Sequence, residues 1–165
     1  MTTGQKELPA GWKWVKLGDV CEVVTGNTPR KSNASYYGSE WTWVNPSHLD
    51  QSQYIYESDE YLTDLGAKQA RVIPKGSVLI SCIGYIGKAA IAGKSLCTNQ
   101  QINSLVPTPA IDSEFLYWCM RKFRSGLEHL ANGRTVKIIN KTNFSKFEIP
   151  LPPLEEQKRI AGILN

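Results

Sequence analysis

A chain of 165 residues, 41% of them hydrophobic, is long enough to bury one core and too short for two comfortable domains. Its 19 Lys and Arg against 15 Asp and Glu leave a net charge of +4, too small an excess to argue for a polyanionic partner by itself. No apolar stretch follows Met1 and none nears the roughly 18 residues of a membrane span, so export and membrane insertion are not expected and the chain reads as cytoplasmic. The distribution of charge says more than its total. Residues 50–64 hold Asp50, Glu57, Asp59, Glu60 and Asp64 with no basic residue, whereas 65–111 hold Lys68, Arg71, Lys75, Lys88 and Lys94 with no acidic one, which predicts a domain with one basic side. Cys21, Cys82, Cys97 and Cys119 lack C-x-x-C spacing and sit in apolar runs. They are expected as buried free thiols in a reducing compartment rather than as metal ligands or disulfides.

Met1–Glu7 is polar and expected to fray. A turn at Pro9-Ala10-Gly11 leads into Trp12–Leu17 and Val20–Thr25, two β-rich runs parted by Gly18-Asp19 and read as opening strands. Trp12 and Trp14, two apart, should then share a strand face and pack there. Gly26–Asn33 is a loop on composition, with the cations Arg30 and Lys31, and Tyr36-Tyr37-Gly38 closes it. Trp41–Val44 reads as a strand ending at Asn45-Pro46-Ser47-His48. That tetrapeptide lacks the second proline and the aromatic of the Asn-Pro-Pro-aromatic motif of amino-methyltransferases, and no glycine-rich loop for a methyl donor appears, so methyl transfer is rejected. Ser58 is placed as the cap of a short helix Asp59–Leu65 ending at Gly66.

Ser77–Ile83 is the most apolar run and is expected at the centre of the sheet. The Gly84–Lys88 loop after it departs from the phosphate-loop pattern, with Cys82 where a glycine and Ala89 where a Ser or Thr is needed, which argues against ATP. As a hairpin-like loop it can present Tyr85 and Lys88 to a nucleic-acid backbone. Thr98–Asn103 packs four amides between apolar runs. Asn99 and Gln100 are chemically suited to the N6 and N7 edge of adenine, and equally to a buried network under the sheet. Asp112 or Ser113 should cap a helix through Phe123, with Phe115, Leu116, Cys119, Met120 and Phe123 as its core stripe. His48 and His129 have no ligand partner at helical spacing, and no nucleophile or carboxylate pair stands in a catalytic frame, so no enzyme, metal or cofactor is expected.

From Asn132 to Lys146 the chain carries Arg134, Lys137, Lys141 and Lys146 without one acid, interleaved with amides and hydroxyls including Asn132 and Thr135. Cations for phosphates, mixed with a guanidinium and amides for base edges, are what a DNA-reading loop requires, although a plain solvated loop has the same composition. Phe147–Leu151 alternates as a strand. Pro152-Pro153 stops it and Leu154-Glu155-Glu156-Gln157 opens a helix, which together read as a hinge out of the domain. That helix carries an apolar stripe with nothing obvious to cover it and stops at Asn165, as in a truncated chain or a half-length subunit.

Pro150-Leu151-Pro152-Pro153-Leu154-Glu155-Glu156-Gln157-Lys158-Arg159-Ile160 resembles the passage from a target recognition domain into the spacer helix of type I restriction-modification specificity subunits. Leu8–Val20 resembles the opening of that family's domain, and Pro74–Ser81 with Gly84–Lys88 its central strand and loop. The resemblance implies an α+β recognition domain over residues 1–151, with a twisted, mainly antiparallel sheet and a few helices, followed by the start of a spacer helix over 152–165. It implies double-stranded DNA as ligand, modification (methyltransferase) subunits and a restriction/translocase subunit as partners, and a DNA-proximal role for Thr28, Arg30, Lys31 and Tyr37. It also favours DNA contact by Tyr85 and Lys88. Two alternatives remain: a fragment of a fused restriction-methylation polypeptide, and a module that pairs with a second specificity half-subunit through its last helix without reading DNA.

Overall fold

The computed structural model describes residues 6–165, so the first five residues of the polar opening lie outside the described residues. In chain order the elements are β1 Lys13–Lys16, α1 Leu17–Val20, β2 Cys21–Thr25, β3 Tyr37–Val44, β4 Tyr54–Ile55, β5 Tyr61–Leu62, α2 Asp64–Ala70, β6 Val72–Ile73, β7 Val78–Ser81 and β8 Ala89–Ala92. They continue with β9 Leu96–Thr98, β10 Ile102–Pro107, α3 Ser113–Lys122, α4 Arg124–Leu130, α5 Lys141–Ser145, β11 Glu148–Leu151 and α6 Leu154–Leu164. The α+β expectation holds, but as three sheets among the described residues: β2-β10-β7-β8-β4, β5-β3-β9-β6 and the pair β1-β11. Pairing is mainly antiparallel, with β3–β9 and β4–β8 parallel.

β7 stands at the centre of the larger sheet, as its apolar run predicts. Both of its faces are covered, which explains the absence of polar alternation. Val78 and Ile80 join Phe115, Leu116, Met120, Leu127 and Phe144 in the core under the helices, while Leu79 faces Val44, Leu49, Ile73 and Leu96 on the other side. Each such Leu or Ile contributes about 1.5–3 kcal/mol through burial. A third cluster, Trp43, Leu62, Ala67, Ala70 and Cys97, seals α2 against the smaller sheet. All four cysteines are buried and free.

Several local expectations are corrected. Gly18-Asp19 does part the two opening strands, but as part of the one-turn α1, and Trp12 precedes β1, its indole donating to Glu156 Oε2 at 3.2 Å. The strand expected at Trp41–Val44 begins earlier, at Tyr37, and runs as β3 past a bulge between Tyr37 and Trp41. The helix placed at Asp59–Leu65 lies instead at Asp64–Ala70 and is capped by Thr63, whose hydroxyl accepts from the Gly66 amide at 3.1 Å. Ser58 is held by tertiary contacts, donating to Trp43 and Glu60 carbonyls. Gly66 sits inside the helix because a Cβ there would lie 2.0 Å from the Tyr36 carbonyl oxygen. Close packing, not helix termination, selects that glycine.

The final helix packs back on α3. Ala161 is buried in the main core, and the buried Gln157 accepts from the Asp112 amide at 2.9 Å while donating to the carbonyls of Ala110 and Pro152. Its stripe is therefore covered at Ile160 and Ala161 and open at both ends, where Leu154 is 37% and Ile163 74% exposed.

Candidate nucleic-acid interface

The register of the larger sheet decides which loops meet. Thr25 pairs with Asn103, Ile102 with Ser81 and Ile80 with Ala89, so the segments 26–33, 82–88 and 99–101 all emerge at one end of the sheet. The basic segment after α4 is stitched onto that end by the backbone: Ile139 N donates to Cys82 O and Gly84 N to Lys137 O, each at 2.8 Å, while Cys82 N donates to Gln101 O at 2.8 Å. Four stretches distant in sequence thus share one surface.

Within it the predicted residues take different places. Thr28 Oγ1 donates to Gln100 Oε1, tying the first loop to the 99–101 turn. Gln100 is exposed, whereas Asn99 is buried and uses its amide on Gln101, donating to Oε1 and accepting from N, each at 3.0 Å. Asn103 is buried and accepts from Thr25 Oγ1 at 2.6 Å, so most of the amide run supports the sheet. Arg30 is exposed beside this loop. Tyr37 is half-buried and donates to Pro29 O at 2.5 Å; burial, with Glu60 second, pushes its hydroxyl above its ordinary pKa. Lys31 lies 5.0 Å from the Trp43 ring and 3.7 Å from Glu60.

Ser81 shapes the next loop, donating to Tyr85 O and accepting from Lys88 N. Tyr85 is left 77% exposed with Lys88 Nζ 5.6 Å from its ring. In the 132–138 loop, Asn132 and Ile138 exchange backbone hydrogen bonds at 2.9 and 2.8 Å, closing a hairpin that holds Arg134, Thr135 and Lys137, all exposed. Gly133 makes this turn possible: its φ is +118°, and a Cβ would sit 2.0 Å from Val136 O. Lys141 stands apart on α5 and lines a groove of about 620 Å³ along the outer edge of β2.

The acidic stretch lies on partners of its own. Asp50 pairs with Arg121 and Arg124, Glu57 with Lys94, Asp59 with His48 and Glu60 with Lys31. The hydrogen bond from Lys94 holds the Glu57 carboxyl below its usual range, and that from His48 does the same for Asp59. Among the described residues Arg30, Lys88, Arg134, Lys137 and Lys141 have no ion pair. Lys75 and other cations among the described residues are equally unpaired, but the end of the sheet where the loops meet gathers Arg30, Lys88, Arg134 and Lys137 with exposed hydroxyls and the exposed Asn132 amide, a set suited to a polyanion with hydrogen-bonding edges. No group of three or more His, Cys, Asp or Glu among the described residues could hold a metal, and none of the described helices is long and apolar enough to cross a membrane.

Residues 9–165 match the family model of the type I restriction modification DNA specificity domain. The chain belongs to that family. It is 32% identical to the type I restriction enzyme MjaIX specificity subunit of Methanocaldococcus jannaschii, over 96% of this chain and 38% of that protein. It is also 32% identical to the HindI specificity subunit of Haemophilus influenzae, over 94% of this chain and 36% of that one. The crystal structure of the HsdS subunit from Thermoanaerobacter tengcongensis superposes on 98% of this chain with a TM-score of 0.79 at 27% identity, using 38% of its own length. The specificity domain seen here therefore spans less than two-fifths of these relatives.

Sequence reasoning missed Arg71 in this specificity domain. It has φ +66°, donates from Nη1 to Thr25 O at 2.5 Å and lines the β2 groove with Lys141. Only the register that brings the end of α2 beside β2 reveals it. Val136 and Ile138, apolar yet exposed on the hairpin, were equally hidden among the charges around them.

Proposed function

We propose that this domain binds double-stranded DNA and reads one half of a bipartite target for a type I restriction-modification complex. In this reading Arg30, Lys88, Lys137 and Lys141 meet phosphates, and Gln100, Asn132, Arg134 and Thr135 face base edges. Thr28, Lys31, Tyr37 and Asn99 hold the loops that carry them. The observation that carries the reading is the gathering of the unpaired cations Arg30, Lys88, Arg134 and Lys137 on three loops at one end of the sheet, where the nearby acids Glu60 and Asp50 are already taken up by Lys31, Arg121 and Arg124. Chemistry falls to partners: modification subunits that methylate adenine and a restriction/translocase subunit that cuts, directed by what this chain binds. Residues 152–165 begin the spacer between recognition domains, and the open end of α6, with Ile163 and Leu164 exposed, supports contact with a second specificity half there.

Selection from a randomised duplex library at low salt tests this. A short enriched motif is expected. Retention that salt abolishes, without enrichment, would contradict readout by this domain, and absence of retention would contradict DNA binding altogether.

A further inference from the structure

The loop end is not only cationic. Tyr85, Val136 and Ile138 are 77%, 50% and 45% exposed, and the backbone brings them together: Ile83 bridges Ile138, and Gly84 N donates to Lys137 O at 2.8 Å. Lys88, Arg134 and Lys137 surround them without an acid partner. The tip is also braced from behind. Arg124 donates from Nε to Ile86 O at 3.1 Å and from Nη1 to Asp50 Oδ2 at 3.0 Å, and Asp50 Oδ1 accepts from Ala89 N at 3.0 Å. A cluster of exposed apolar side chains braced in this way is suited to an apolar counterpart.

We propose that this tip reads thymine methyl groups in the major groove. The inference rests on the DNA-reading function proposed above and names the feature read. Shape selects the groove: the hairpin closed between Asn132 and Ile138 is itself a two-stranded ribbon, with the Gly84 loop seated beside its base. The major groove, about 12 Å wide, admits such an element, whereas the minor groove, about 6 Å wide, does not. The apolar feature displayed on base pairs in the major groove is the thymine C5-methyl. Val136 and Ile138 present methyl groups of matching size, while flanking Lys137 holds the tip to a strand and Arg134 reaches a neighbouring base edge.

The test uses the duplex enriched by selection, remade with uracil in place of thymine at each A·T pair in turn, so that only the methyl is lost. With the 165-residue chain, at least one replacement should weaken binding by about fourfold, the worth of one buried methyl group. Val136→Ala or Ile138→Ala should bind the thymine duplex more weakly and no longer distinguish it from the uracil duplex. Both positions are exposed, so circular dichroism should show these variants folded as the parent. Uracil duplexes that bind like thymine duplexes at every position, an enriched motif without an A·T pair, or discrimination undiminished in both variants would overturn the proposal while leaving DNA reading intact. Failure to enrich any motif would instead bring down the function beneath it.

Discussion

Two regions of this domain hold the same kinds of residue and use them oppositely. On the acid-rich flank, Lys31, Lys94, Arg121 and Arg124 each stand within 4 Å of a carboxylate, and their charge is consumed in joining loops to the body. At the loop end of the larger sheet, Lys88, Arg134 and Lys137 meet no carboxylate and point outward from backbone turns fixed by Ser81, Gly84 and Gly133. In the proposed reading a lysine is available to DNA here through the absence of a partner and the rigidity of its loop, neither of which its identity records.

The largest effect should come from the core that supports the basic segment. Phe144, fully buried, fixes α5 and with it the return from the hairpin. Phe144→Ala should cost about 3–5 kcal/mol in urea unfolding; a loss below 1 kcal/mol, on the order of a surface change, would mean that the segment is not anchored as described. Gly133→Ala should disturb the loop end alone, adding roughly 1–3 kcal/mol of local strain because its φ is +118° and Val136 O blocks the Cβ. The expected outcome is lost motif enrichment with binding to bulk DNA kept, and enrichment equal to the parent would show that the hairpin does not set specificity.

Sharper still is a matched pair of truncations. Arg134→Ala should weaken binding to the preferred duplex by about 1–3 kcal/mol if its guanidinium pairs with a guanine. Lys31→Ala, removing an exposed ion pair, should change binding little and stability by at most about 1 kcal/mol. Similar losses in the two would erase the distinction between the regions. The smallest effect concerns the closed core behind both. Burial pushes the Cys21, Cys97 and Cys119 thiols up to about 12 and Cys82 to about 11, so the reactive thiolate is nearly absent at pH 8. Alkylation at that pH should label no cysteine in the folded domain and all four after denaturation. Rapid labelling of Cys82, which lies under the 82–88 loop, would show that the loop end opens.

What the sequence conveyed and what it withheld follow one physical line. The Asp112 cap and stripe of α3 and the apolar run of β7 are local signals, and the structure bears both out. The basic run from Asn132 to Lys146 was legible as a feature, but its closure into a hairpin with an apolar tip was not. Helix α2 was misplaced because Ser58 and Gly66 carry the letters of a cap and a stop while answering to partners far along the chain, Trp43 and Tyr36. Arg71 and the inward turn of Asn99 and Asn103 depend on strand register, which no local pattern specifies.

The most direct measurement compares salt dependence for two triple variants, one neutralising Lys88, Arg134 and Lys137 and the other Lys31, Lys94 and Arg121. If the loop end is the DNA surface, with Lys88 and Lys137 on phosphates and Arg134 on a base edge, the slope of log affinity against log salt falls by about 1.8 in the first variant and stays at the parent value in the second. Equal slopes in both variants would contradict the account.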